Sequence, residues 1–319
     1  MRQMTYLFQY RVNNSIAALI VLSGLDGVGS VQAMSRKCRR LSVLGAFACL
    51  VITPAAFAEP EHAGSPQPGQ GVSRTVESEW LNSRVLTAME RMPVGGGYAV
   101  TRAAAQSLGR AVRLDENGSL TVKAAMAQPS YCSGATYLIL LNALKPEIDK
   151  VRDVGKRTAL IRLLKVAGQA DGIGIWGRWN ANGPGMALIF AESGMGRSFW
   201  DFKSARPGDF LKLWWKDSIG RDEAGHSVVF VGYGVTTEGE DAVEIWSSNK
   251  PLGYGKKLIP LRKIRHALFS RCEHPERVTR LLQFSEKDNY LAEMLRQNTT
   301  QEEIDHQLSS RSTKINFAP

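Results

Sequence analysis

The stretch that most constrains this chain runs Pro129-Ser130-Tyr131-Cys132-Ser133-Gly134-Ala135-Thr136-Tyr137-Leu138-Ile139-Leu140-Leu141, where a polar, turn-forming segment becomes an apolar helical run. A cysteine sits at the join. Pro129 and Ser130 punctuate the chain, Ser130 is suited to cap the helix that follows, and Leu138, Leu141 and Leu144 continue on one face. A thiol in the first helical turn lies among unsatisfied amides, whose partial positive charge favours thiolate over thiol. The thiolate is the nucleophilic form, so this is a position from which a cysteine enzyme would work. The plain alternative is a structural cysteine, since free cysteines are often buried.

The N-terminal region places that cysteine in a compartment. Met34-Ser35-Arg36-Lys37-Cys38-Arg39-Arg40 is a positive n-region, residues 41–52 are apolar, and Ala56-Phe57-Ala58 is a small-x-small cleavage site. Together they predict a secretory signal peptide over 34–58. The apolar run is too short to span a bilayer and ends at Pro54. Residues 1–33 precede a complete signal peptide and read as a non-native upstream extension. The expected mature protein is periplasmic or secreted, with no stable membrane span.

Cleavage at Ala58 changes both charge and cysteine count. The whole chain carries +10, but residues 1–58 hold six basic residues and one acid, Asp26, leaving +5. That charge is spread out without a basic stripe, which disfavours nucleic acid and suits an anionic envelope polymer. Two of the four cysteines remain, Cys132 and Cys272. In an oxidising compartment a Cys132–Cys272 disulfide is the rival to catalysis.

Residues 59–76 are rich in Pro, Gly and Ser and predict a flexible linker. Helical spacing follows over 77–92 and 101–112, then a short strand at 120–122. Residues 145–170 are amphipathic, and 172–185 read as a loop whose Trp176 and Trp179 suit either a substrate groove or a core edge. Strand character begins after Pro207-Gly208-Asp209. Residues 210–215, 226–233 and 242–249 predict an antiparallel meander. The segment after residue 284 predicts a helical tail, solvated or loosely docked, with Thr300-Gln301-Glu302-Glu303 as a capping box.

A thiol nucleophile needs a base, and the base needs an orienting partner. Of the five histidines (62, 226, 266, 274 and 306), only His226 is predicted from the sequence to begin a strand, with Gly225 leaving room beside it. Val228 and Phe230 share its face and are expected to point into the core. A hairpin centred near Thr237 sets His226 opposite residues around Ser248, so Asn249, with Ser247 in reserve, can accept from the imidazole.

At these residues the sequence resembles a family. Cys132-Ser133-Gly134, Pro207-Gly208-Asp209-Phe210-Leu211, Gly225-His226-Ser227-Val228-Val229-Phe230-Val231-Gly232 and Trp246-Ser247-Ser248-Asn249 are similar to the NlpC/CHAP superfamily of papain-like cysteine amidases and peptidases. The resemblance covers about residues 125–255, with an insertion over 145–205. It implies an α+β papain-like fold over 77–283, in which a helix bearing Cys132 packs on an antiparallel sheet bearing His226. It further implies Cys132 as nucleophile, His226 as base, Asn249 as orienting residue and the Cys132 amide in an oxyanion hole. Tyr131, Ser133, Trp176 and Trp179 are then expected around the substrate. Tyr131 stands where the family carries Asp, Ser227 follows the histidine, and the third residue is not a second His; these departures bear on the substrate.

The expected activity is amide hydrolysis through an acyl-enzyme, with peptidoglycan peptides as substrate. An amidase or acyltransferase acting on lipid or small acyl groups is the first alternative. A non-catalytic envelope binder with a Cys132–Cys272 disulfide is the second. No cofactor is implied, and without His-Glu-x-x-His or paired Cys-x-x-Cys no metal is expected.

Overall fold

Two-residue alternation along residues 210–249 sends apolar side chains to both faces of a sheet, and this organises the fold. The computed structural model describes residues 72–168 and 171–315. The upstream extension, the signal peptide and the linker through residue 71 lie outside the described residues.

In chain order, helix α1 (Val72–Glu90) leads to strand β1 (Gly95–Gly96), helix α2 (Arg102–Ala111) and the ribbon of β2 (Val112–Leu114) and β3 (Leu120–Val122). Helix α3 (Cys132–Asp149) is followed by α4 (Val154–Leu163), α5 (Gly174–Trp179), α6 (Gly185–Ser193) and β4 (Gly196–Phe199). The strand block holds β5 (Phe210–Trp214), the short β6 (Ile219–Gly220), β7 (Gly225–Val235), β8 (Asp241–Asn249), β9 (Gly253–Pro260) and β10 (His266–Cys272). The chain ends with α7 (Asn289–Glu293), β11 (Asn298–Thr299) and α8 (Gln301–Ile315).

The result is an α+β architecture with a seven-stranded sheet in the order β1-β9-β8-β7-β5-β10-β4, every pair antiparallel. The expected meander is its centre. On one face Phe210, Val229 and Trp246 join the core beneath α3, with Tyr137, Leu141 and Trp179. On the other, Leu211, Leu213, Val228, Phe230, Val243 and Ile245 form a second core, closed by Phe199, Phe202 and Leu261. Val228 and Phe230 are thus buried, but on the face away from α3. No helix among the described residues is long and apolar enough to cross a membrane.

The Pro207-Gly208-Asp209 turn is pinned by charge. Arg271 donates to both Asp209 oxygens, at 2.8 and 2.6 Å, with both side chains almost wholly buried. Asn82 Nδ2 adds a bond to Asp209 Oδ1 at 3.0 Å, joining α1 to the sheet. Gly208 has φ +93°, and a Cβ there would lie 2.6 Å from the Asn82 carbonyl oxygen, so this turn needs glycine.

Several expectations are corrected. Helix α1 begins at Val72, inside the expected linker. Residues 145–205 are no separable insertion: α3 runs through Pro146 to Asp149, and β4 is an edge strand of the main sheet. Residues 174–179 form a helix rather than loop, because Ile175, Trp176 and Trp179 all find the core. His226 is not alone in opening a strand, since His266 begins β10.

The tail from residue 284 is docked. Ile304 is fully buried, and Leu308 packs beside it against α6 residues. Asp288 pairs with Arg178 at 3.1 Å and with Arg311, so three segments share one buried ionic cluster. The tail's mixed charge concealed this. Thr300 Oγ1 does accept from the Glu303 amide at 3.2 Å, the N-terminal half of the capping box.

Candidate active site

Cys132 is the first residue of α3 and is half-buried. Tyr131 holds the N-cap position in extended conformation (φ −132°, ψ 168°) and supplies no side-chain cap. The cap expected from Ser130 does not form, because Ser130 lies one residue before the N-cap. Its carbonyl instead accepts from the Ala99 amide and from Ser248 Oγ, both at 3.0 Å. The first bond of α3 runs from the Ala135 amide to the Tyr131 carbonyl at 2.9 Å, which leaves the amides of Cys132 and Ser133 without intrahelical partners.

Four groups act on the Cys132 sulfur. Burial pushes the thiol up. The hydrogen bond and charge of His226, the Ser227 amide and the charge of Lys212 outweigh that and bring it from 9.0 down to about 6. The Tyr98 hydroxyl also bonds the sulfur; burial, then the neighbouring Cys132, push Tyr98 well above its ordinary value, so it stays a donor. Tyr98 reaches this position through a bridge with Ser130, in which the Ser130 amide meets the Gly97 carbonyl at 3.2 Å.

The base is set by strand register. Val229 pairs with Trp246, and continuing that ladder brings His226 opposite Asn249. His226 Nε2 lies 3.1 Å from Asn249 Oδ1. Asn249 Nδ2 donates to the carbonyls of Ser247 at 3.2 Å and Gly255 at 2.8 Å, which fixes the amide with its oxygen toward the imidazole. Nε2 is therefore the donor to Asn249, and Nδ1 is left to face the thiol. Ser247, the reserve candidate, donates instead to the Ser227 carbonyl at 2.7 Å and braces the strand. The structure thus brings Cys132, His226 and Asn249 together.

The other expected residues divide. Tyr131 and Ser133 line a pocket of about 240 Å³ beside Cys132. Trp176 and Trp179 do not: they are almost wholly buried beneath α3, and the groove expectation is corrected for both. Trp179 Nε1 donates to the Ser133 carbonyl at 3.1 Å, so it supports the nucleophile's helix from below. A far larger groove of 1170 Å³ lies between α1 and the far half of α3, away from Cys132.

The rival disulfide is absent. Cys132 and Cys272 are both free thiols. Cys272 is buried at the end of β10, opposite Gly196, and burial raises its thiol far above the ordinary value. It is an inert core residue.

Comparison with protein-family models, curated proteins and solved structures finds no match. The geometry must carry the assignment.

Three features escaped sequence reasoning. Asn180 Oδ1 accepts from Ser133 Oγ at 2.6 Å, leaving Nδ2 as a donor on the pocket wall. Tyr98 carried no signal at all, being one tyrosine after a glycine run. Lys212, nine-tenths buried and 2.8 Å from Glu223, lines the same pocket. Its signal was a lone cation in the apolar strand Phe-Leu-Lys-Leu-Trp. Among the described residues no group of three or more His, Cys, Asp or Glu can hold a metal.

Proposed function

We propose that the chain is a papain-like cysteine hydrolase of the NlpC/CHAP type that cleaves amide bonds in the bacterial envelope, with peptidoglycan peptides as substrate. The observation that carries this reading is the convergence of Cys132 at a helix N-terminus, His226 on its sulfur and Asn249 on the far imidazole nitrogen.

The residues have complementary parts in the reaction. The Cys132 thiolate attacks the amide carbonyl, forming the C–S bond and placing negative charge on the carbonyl oxygen. The uncapped amides of the first turn, with Asn180 Nδ2 or the Tyr98 hydroxyl, are the donors available to that oxygen. His226 gives its proton to the leaving amine as the C–N bond breaks, and a thioester remains. His226 then takes a proton from water as the water oxygen attacks the thioester carbonyl, the C–S bond breaks to release the carboxylic acid, and the Cys132 thiolate is regenerated beside protonated His226. Asn249 keeps the ring turned toward the sulfur without adding a charge.

The direct test is iodoacetamide labelling across pH with the modified residue mapped by mass spectrometry, beside digestion of cell-wall fragments. The reading expects Cys132 to alkylate with an inflection near pH 6, Cys272 to stay silent, and new amines to appear in the digest. An inert Cys132 sinks it.

A further inference from the structure

The pocket beside Cys132 holds a buried cation whose charge helps lower the thiol but which exchanges no proton and makes no bond in the hydrolytic steps. Lys212 stands on β5, paired with Ser227 in the ladder to β7, with its side chain on the face of Phe210 and Trp214. It is only 9% exposed, and its Nζ lies 2.8 Å from Glu223 Oε1. Burying a charge in this way is costly unless the partner is fixed.

Glu223 is fixed. Its Oε2 accepts from the Gly183 amide at 2.7 Å, the Gly220 amide at 3.1 Å and Trp214 Nε1 at 2.8 Å. Together with Lys212, these donors leave the carboxylate little capacity for a substrate group. It serves as an anchor. The ammonium is different: it has three N–H donors, and among the described residues its one acceptor is Glu223, with the Trp214 ring 5.8 Å away. Two donors remain on a wall that the nucleophile shares.

The surroundings select the sign of the ligand. Among the described residues, Glu223 is the only acid lining the pocket. Lys250, directly after Asn249, sets a second cation over Tyr98, a lining residue, its Nζ 5.3 Å from the ring centre. The Gly225 position is shaped to admit the pair: a Cβ there would lie 2.7 Å from both Glu223 Oε1 and Lys212 Cε. A glycine immediately before His226 thus allows the cation to approach the reacting centre.

We infer that Lys212, pinned by Glu223, is a specificity-determining residue that recognises a carboxylate close to the scissile amide. The substrate class is an amide bearing a carboxylate next to the bond cut, either the free C-terminus of a leaving residue or an acidic side chain. This rests on Cys132 being the nucleophile proposed above.

Paired alkylating probes test it on the full mature chain. Iodoacetate and iodoacetamide are nearly isosteric and differ by the carboxylate. The quantity read is the ratio of their rates at Cys132, relative to the same ratio for glutathione. His226 lies beside the same sulfur and contributes to the wild-type ratio, so the deciding comparison is with the Lys212→Met/Glu223→Gln variant. The second substitution accompanies the first so that no buried carboxylate is orphaned, and the new amide oxygen still accepts from Gly183, Gly220 and Trp214. The ratio should fall about tenfold in the variant, the worth of one charge-assisted hydrogen bond. An unchanged ratio overturns the inference, and so does an equal fall in both rates, which would assign Lys212 to supporting the thiolate alone.

If Cys132 reacts with neither probe, the hydrolase reading fails separately, and binding decides Lys212. N-acetyl-alanine and N-acetylalaninamide are titrated against the Cys132→Ala protein by NMR. Tighter binding of the carboxylate, lost in the Lys212→Met/Glu223→Gln background, upholds the site; equal binding overturns it. If hydrolysis is found, peptides with free or amidated C-termini, and with Glu or Gln beside the cut, separate the two sources of the carboxylate.

Discussion

At the scale of single residues, the thiol is lowered against the effect of its own burial, so its partners must account for its reactivity. Removing His226 takes away the largest of the lowering contributions at Cys132. His226→Ala should therefore move the alkylation inflection upward from about pH 6 toward 9.0. The sign follows because a thiol reacts only once it has lost its proton: a raised value means less thiolate at neutral pH. Asn249→Ala removes orientation rather than charge, and should slow hydrolysis by about 10²-fold through misplacement of the ring, with less effect on the inflection. A stopped-flow alkylation series and steady-state kinetics on the same two variants separate these effects. Gly225→Ala tests the pocket wall. Its new Cβ would fall 2.7 Å from Lys212 Cε and Glu223 Oε1, so turnover should drop while far-UV circular dichroism stays native.

At the scale of elements, the site depends on how β5 and β7 are anchored. The Asp209–Arg271 pair ties the turn before β5 to β10, and Asn82 ties it to α1. Asp209→Ala leaves a buried guanidinium without its carboxylate, and urea denaturation should show a loss of about 3–5 kcal/mol. Helix α3 is seated by aromatic packing beneath it: the Tyr137 and Trp176 rings are 5.1 Å apart, and Trp179 meets Phe210 edge-on at 5.2 Å. Sequence reasoning placed the start of α3, β5 and the β7–β8 hairpin well, because each carries a strong period and clear punctuation. It put Trp176 and Trp179 in a loop because short helices between glycines have no period to read.

At the scale of the whole molecule, the C-terminal segment is part of the fold that holds the site. Strand β11 pairs with β6 just before Glu223, and Met294 lies against Gly183 and Gly220, which both donate to that carboxylate. Ile304 is wholly buried, so Ile304→Ala should cost about 2–5 kcal/mol in thermal or urea unfolding, as a core truncation does. A surface appendage would show almost no change. Sequence by itself determined the candidates for the chemistry: a cysteine opening an apolar helix, a histidine opening a strand, and an asparagine one hairpin away. Those are local facts, fixed by periodicity, turn residues and the two-residue repeat of a strand. Tertiary structure alone decided that both cysteines stay free, that Tyr98 bonds the sulfur while Lys212 lines its pocket, and that the tail closes the fold. Each of these depends on residues distant in the chain meeting in space, and burial and charge pairing at such meetings leave no local pattern.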